Sequence, residues 1–419
     1  MSDTMTAAAA ASATPAAFRP FAGLRVIDLT RVLAGPYCSY LLGLLGAEVI
    51  KVEPPGRGET IRRRPGGDPA LTEAGVSVAW ATQSANKQCV TLDLDQPRGQ
   101  EIFRELARGA DVVVQNLRTG SAERRGIGYE QISAINPKVI YCSITAYGRT
   151  GPRAADPAYD SVIQAVSGLM ALTGTEQSGP LKAGPPIIDY VTGLNAALAV
   201  ACAVVDRDRT GRGHHIDLSM LDSNFALMAS ALTQFMNTGR QPAPPGNDAA
   251  SRAPVSTTYR VRDGLFAIAI NEDHQYRHLF EAMGLAHFND DPRYNTAAAR
   301  IEHREALRAR LQAVFETQDA AHWERLLNGA GAPGGRVNSL GEITSHPQFA
   351  SRGLFADVPV TAGEASGRMK LPLAPFMVDG DRGAIHSAPR PVGADTARVL
   401  ARLGIDEEQL RVLREAGVV

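Results

Sequence analysis

The chain has 419 residues, 44% of them hydrophobic, enough to bury a large core and to build two domains. Lysine plus arginine number 43 against 44 aspartate plus glutamate, and a net charge of −1 supplies no field for nucleic acid or an anionic membrane, though a local basic site for a small anion stays open. The four cysteines, Cys38, Cys89, Cys142 and Cys202, have no CxxC spacing, which argues against a zinc site or a disulfide framework and for a reducing cytosol.

Residues 1–20 are Ala-rich, lack the basic start of a secretory signal, and read as a disordered leader. "LRVIDLT" (24–30) then reads as a buried strand, "GPYCSYLLGLLGA" (35–47) as a helix closing at Gly46, and "EVIKVEPP" (48–55) as a second strand. Strands at 88–94, 111–117 and 138–148 and a helix at 97–110 continue the alternation, which predicts a parallel sheet with helices on both faces. The apolar segment 191–205 reads as a mostly buried helix, too short and too interrupted by Thr192 and Asn195 to span a membrane. In the following strand, "GHHIDL", His214 and His215 face opposite sides, so a two-histidine metal site is not expected. After a Pro/Gly/Ala linker (243–254) come a hairpin at 257–270 turning at Asp263–Gly264 and helices near 274–283, 302–317 and 320–329. A β-rich stretch at 369–378 and a closing helix pair end the chain. The expected fold is α/β: a large domain over 21–225 that the chain rejoins over 331–419, with a linker and smaller α+β domain at 226–330.

No GxGxxG follows the first strand, and no P-loop, HExxH or GxSxG occurs, so the commonest nucleotide, zinc and serine-hydrolase chemistries are disfavoured. "GRGETIRRR" (56–64), just past a strand end, fits either a solvated charged loop or an anion-binding loop. In "AGPPIIDYVTGLNAALAV" (183–200) a lone carboxylate, Asp189, stands before the apolar helix; helix capping accounts for it as readily as chemistry does. Tyr159 and Asp160 at the start of another helical pattern likewise fit ordinary capping.

Taken together, "GLRVIDLTRVLAGPYCSYLLGLLGAEVIKVEPPGRGE" (23–59), "NKQCVTLDL" (86–94), "DVVVQNLRTG" (111–120), "YDSVIQAVSGLMALTG" (159–174), "DYVTGLNAALAV" (189–200), "RTGRGHHIDLSMLD" (209–222) and "HPQFASRGLF" (346–355) resemble the class III CoA-transferases (CaiB/BaiF type), a family that also contains 2-methylacyl-CoA racemases. The resemblance runs from Gly23 to Val419. It implies a Rossmann-like large domain built from both chain ends and an interlinked, ring-like homodimer. It also implies that Asp189 is the nucleophile, with Tyr159 and Asp160 in support, and that Arg31, Leu33, Ala34, Lys51 and Arg118 line the CoA pocket. The substrates implied are an acyl-CoA and a small carboxylic acid, with CoA thioesters as substrates rather than a permanently bound cofactor, and with no metal, nucleic acid or membrane involved.

In the racemase branch a histidine stands thirty residues before this aspartate; here the residue is Tyr159, and a phenol is a poor substitute for imidazole in shuttling protons at neutral pH. That favours transfer over racemisation. The formyl-CoA/oxalate branch carries glutamine at the position of Leu33, arginine at that of Pro54 and a glycine-rich loop; this chain has none of the three. Relatives without them imply succinyl-CoA as donor and a C4–C6 dicarboxylate as acceptor, whose distal carboxylate calls for a cation from Arg62 to Arg64, Arg252 or Arg260. A racemase and a subunit of a heteromeric transferase are the alternatives.

Overall fold

The structure, a computed structural model, describes residues 17–419. Strands β1 (Arg25–Asp28), β2 (Glu48–Glu53), β3 (Lys87–Thr91), β4 (Val112–Gln115), β5 (Ile140–Thr145) and β6 (His214–Ser219) form one parallel sheet in the order β3-β2-β1-β4-β5-β6. The order reverses between β1 and β4, so a crevice opens beyond their carboxyl ends, where open α/β sheets take their ligands.

The strand sequences explain the two covered faces. In β4, Val112 and Val114 point into one apolar cluster and Val113 into another, as the two-residue period of a strand requires. The first cluster holds Cys38 and Leu42 of helix α1 (Ala34–Leu44) together with Ala196 and Val200, and the second holds Ile102, Phe103 and Leu106 of helix α2 (Pro97–Arg108) with Val399 and Leu413 from the C-terminal helices. Helix α3 (Asp160–Val166) and helix α4 (Ile187–Thr210) complete the elements that carry the site.

The described chain divides into two compact units. The larger takes the residues up to Ser167, Gly184–Ala229 and Gly353–Val419, and the smaller takes Gly168–Ala183 and Ser230–Arg352. Both sequence-based boundaries therefore shift: 168–183 leaves the large unit, and the return falls at Gly353 rather than 331. The second shift has a plain cause, because Gly334–Arg336 pairs with Gly264–Ile268 and supplies the third strand of the small unit's sheet. That unit has its own core around Phe266, Phe315 and Trp323.

Helix α4 also starts earlier and runs longer than its apolar run suggested. Its 24 residues, about 36 Å at the usual rise, make it long and apolar enough by length and composition to cross a membrane, which corrects the expectation that the segment is too short. Ile188, Gly193, Ala196 and Val200 are buried, whereas Leu194, Leu198 and Val205 on the same helix are exposed.

Candidate active site

A cavity of ≈ 460 Å³ lies at the carboxyl ends of the strands, entirely within the large unit. Its wall is drawn from the β1–α1 turn (Arg31 to Ala34), from Pro54, Asp93 and Asn116 beyond β2, β3 and β4, and from Arg118, Arg124, Tyr159 and Asp189. Among the described residues the guanidinium groups of Arg31, Arg118 and Arg124 make no hydrogen bond or ion pair, while Arg125 is paired with Asp95 at 2.6 Å. Three unpaired cations around one crevice suit a polyanion such as a nucleotide phosphate.

Asp189 occupies the third position of α4, not the cap. The cap residue is Pro186, and the N–H groups of Ile188 and Asp189 donate to Asp160 Oδ2 at 2.8 and 3.2 Å. Asp160, the first residue of α3, is itself fixed by a 2.6 Å bond from Gln164 Nε2 to its Oδ1. A residue nearly thirty positions earlier thus performs the capping that the sequence allowed for Asp189. The Asp189 carboxylate makes no hydrogen bond among the described residues. Burial is the main cause that pushes its carboxyl up to about 7, and the neighbouring Asp160 carboxylate adds to it.

Helix α4 brings Asp189 to the cavity through a close crossing with α1. A Cβ at Gly193, one turn beyond Asp189 on the same face, would meet the Ala34 carbonyl oxygen at 2.6 Å, so only glycine fits. Tyr37 of α1 and Tyr190 of α4 stack edge to face at 4.9 Å across the same junction. The first turn of α1 has no side-chain cap, and the N–H groups of Leu33 and Ala34, both at the cavity wall, find no acceptor among the described residues. Unpaired amides and a bare, proton-hungry carboxylate around one crevice can carry out acyl transfer: a nucleophile and donors for the oxygen that turns negative.

Arg31, Leu33, Ala34, Arg118, Tyr159 and Asp189 are thus brought to one cavity, with Tyr159 largely exposed and Asp160 just behind. Other expected site residues lie elsewhere. Arg62 is fully buried: its Nε donates to Glu53 Oε1 at 2.7 Å, Nη1 to the Gly75 and Arg390 carbonyls at 2.9 and 3.1 Å, and its guanidinium stacks 3.6 Å over Trp80. With every donor direction occupied it is tied into the fold, away from the cavity wall. Arg64 is exposed and off the cavity wall. Lys51 is also buried, donating to the Thr30 carbonyl and facing Asp28 Oδ1 and Glu59 Oε1 at 3.6 and 3.7 Å; it supports the cavity from below and does not line it. Sequence reasoning missed Arg124 and Asn116, although an arginine run just past a strand end ("NLRTGSAERRG") is the kind of signal that marks such a wall. No group of three His, Cys, Asp or Glu residues is placed to hold a metal among the described residues.

Known proteins are similar to this chain in sequence and in fold. Residues 21–396 match the model of CoA-transferase family III. The chain is 34% identical over 393 residues to the succinate–glutarate CoA-transferase of Agrobacterium fabrum, covering 92% of this chain and 96% of that one. It is 35% identical over 362 residues to the acetyl-CoA:oxalate CoA-transferase of Acetobacter aceti, covering 86% and 90%. The fold matches the crystal structure of a CaiB/BaiF family protein from Brucella suis with a TM-score of 0.80 and 32% identity, over 92% of this chain and 99% of that one.

Proposed function

This chain belongs to CoA-transferase family III and is a CoA-transferase, and from that premise we propose that it moves CoA from succinyl-CoA to a C4–C6 dicarboxylic acid through covalent intermediates on Asp189. The observation that carries the reading is Asp189 itself: a carboxylate without a hydrogen-bond partner among the described residues, raised to about 7, at a cavity ringed by unpaired arginines. An oxygen of Asp189 attacks the thioester carbonyl, the C–S bond breaks, and CoA thiolate leaves behind a mixed anhydride. The thiolate attacks the aspartyl carbonyl, giving an aspartyl-CoA thioester and releasing the donor acid as carboxylate. The acceptor carboxylate then repeats the two steps in reverse, and Asp189 is restored with no net proton taken up.

Each tetrahedral intermediate places negative charge on a carbonyl oxygen, for which the Leu33 and Ala34 N–H groups, without an acceptor among the described residues, are suited donors. Arg31, Arg118 and Arg124 take the CoA phosphates, and with Arg62 tied to Glu53 the acceptor's distal carboxylate also falls to these cavity arginines. The exposed apolar face of α4 supports a homodimer in which a second copy covers Leu194, Leu198 and Val205. We place the enzyme in the cytosol, where its four free thiols suit a reducing compartment.

The test is mass spectrometry of the protein mixed with succinyl-CoA and hydroxylamine, followed by product analysis with glutarate, citramalate, mesaconate or oxalate as acceptor. The reading requires a label confined to Asp189, lost in Asp189→Ala, and faster turnover of a C4–C6 acid than of oxalate. Deuterium uptake at the carbon next to the thioester without acid exchange would move the chain to the racemase branch. Activity gained only on adding a homologous chain would make it a subunit.

A further inference from the structure

Side chains from other segments hold the turn between β1 and α1 group by group. The Thr30 N–H donates to Asp28 Oδ1 at 2.8 Å, and its carbonyl accepts from Lys51 Nζ. Asn116 brackets Arg31, accepting from its N–H at 2.8 Å and donating to its carbonyl at 2.9 Å. Val32 is bracketed by two residues: its N–H donates to Glu59 Oε2 at 2.8 Å, and its carbonyl accepts from Gln83 Nε2 at 2.9 Å.

Val32 needs the restraint. Its φ of +68° is left-handed, a conformation that a β-branched residue adopts only when its surroundings impose it. Leu33 and Ala34 come next in the chain, so the direction of their unpaired N–H groups depends on the Val32 dihedrals. Glu59 is buried and lies off the cavity wall. Its own N–H donates to Glu53 Oε1 at 3.1 Å, while its Oε1 makes no hydrogen bond and faces Lys51 Nζ at 3.7 Å. One carboxylate oxygen therefore belongs to the buried ion cluster of Asp28, Lys51 and Lys87, and the other to the turn.

We propose that Glu59 is a positioning residue for the transfer reaction: it holds Val32 in the left-handed turn and so aims the Leu33 and Ala34 N–H groups at the carbonyl oxygen that turns negative when Asp189 is acylated. The inference rests on the reading of Asp189 as nucleophile. A purely structural Glu59 would only balance the charge of Lys51, and the two roles respond differently to substitution. Glu59→Asp keeps the charge and falls one methylene short of Val32, whereas Glu59→Gln loses the charge and keeps an oxygen that can accept the N–H.

The experiment measures single-turnover acylation of Asp189 by succinyl-CoA, with the folded fraction monitored by circular dichroism, for Glu59→Ala, Glu59→Asp and Glu59→Gln, each alone and combined with Val32→Gly. Glycine adopts a positive φ without penalty, so it removes the need for the restraint. Glu59→Ala and Glu59→Asp are expected to slow acylation about 10- to 100-fold with KM little changed, and Glu59→Gln is expected to regain most of the loss. Against the Val32→Gly background the Glu59→Ala and Glu59→Asp losses should shrink to about threefold or less. Equal losses in both backgrounds, or a Glu59→Gln enzyme as slow as Glu59→Ala, would overturn the proposal. If Glu59→Ala does not fold, Glu59→Asp carries the same comparison. Failure of the wild-type protein to acylate at Asp189 refutes the nucleophile reading, whereas wild-type acylation with no dependence on the Val32 background refutes only the role of Glu59.

Discussion

Asp189→Asn should abolish turnover and at the same time stabilise the protein, by an amount that grows with pH. The carboxyl is pushed from 3.8 to about 7 chiefly by burial. A raised acid binds its proton more tightly in the folded state than in the unfolded one, so between these two values each added pH unit costs the fold up to about 1.4 kcal/mol. The cost is absent below the unfolded value, grows to roughly 2 kcal/mol at pH 5.5, and levels off near 4 kcal/mol above pH 7; partial exposure of the side chain reduces both figures. Asparagine does not titrate and is spared this cost. Thermal scans of both proteins at pH 5.5 and 8.5 should show the variant more stable at each pH, with an advantage that widens by about 1–2 kcal/mol, or a few degrees, at the higher value. The same titration should make wild-type kcat/KM for the acyl-CoA fall about tenfold per unit below pH 7 and level off above it. An Asp189→Asn protein that is less stable than wild type, or whose advantage does not change with pH, would falsify the picture of a desolvated carboxylate kept for reaction.

Three further perturbations probe the rest of the site. Gly193→Ala drives a Cβ to 2.6 Å from the Ala34 carbonyl oxygen and should cost about 1–3 kcal/mol, with a drop in kcat because Asp189 is one turn away; unchanged thermal and kinetic behaviour would show that the crossing of α1 and α4 can open freely. Arg118→Ala removes an exposed, unpaired cation, so stability should stay within about 0.5 kcal/mol while KM for acyl-CoA rises roughly 10- to 100-fold; Arg62→Ala, which strands the buried Glu53, should instead lose about 3–5 kcal/mol of stability, and denaturant titration beside steady-state kinetics separates the two. Leu198→Glu puts a charge where α4 exposes 64% of a leucine and should destabilise a homodimer packed on that face, lowering its thermal midpoint by a few degrees; an unchanged midpoint removes this face from the interface.

The alternation of strands and helices made the parallel sheet legible, because local apolar runs dictate it, and the same order placed the cavity at the strand ends. The start of α4 was not legible. The apolar pattern placed the helix at 191–205 with Asp189 before it, whereas the helix begins at Ile187, where Asp160, distant in sequence, accepts the N–H groups of Ile188 and Asp189. The domain return was misplaced for a similar reason: Gly334–Arg336, just past the expected boundary, pairs with Gly264–Ile268, a long-range partner that no local pattern announces.

The arginines show most clearly what charge in a sequence can and cannot say. "IRRR" fits a run of solvated cations or an anion-binding loop, and the charge of a dicarboxylate acceptor made Arg62 and Arg64 candidates to meet it. Burial separates them. Glu53 closes β2 directly beneath the loop, Trp80 supplies a flat face, and the Gly75 and Arg390 carbonyls take the remaining donors, so Arg62 is drawn inward while Arg64 stays in solvent. Each partner comes from a different segment, and the sum of their contacts offsets a desolvation cost that no single one could. The converse holds at the cavity. Leu33 and Ala34 carry no chemical signal as side chains, yet their amides are among the donors without an acceptor at the cavity wall in the described residues, next to a strained valine held by a buried glutamate. A sequence names side chains, and in this site part of the chemistry belongs to the backbone, so its residues become visible only once the fold shows which N–H groups are left without a partner.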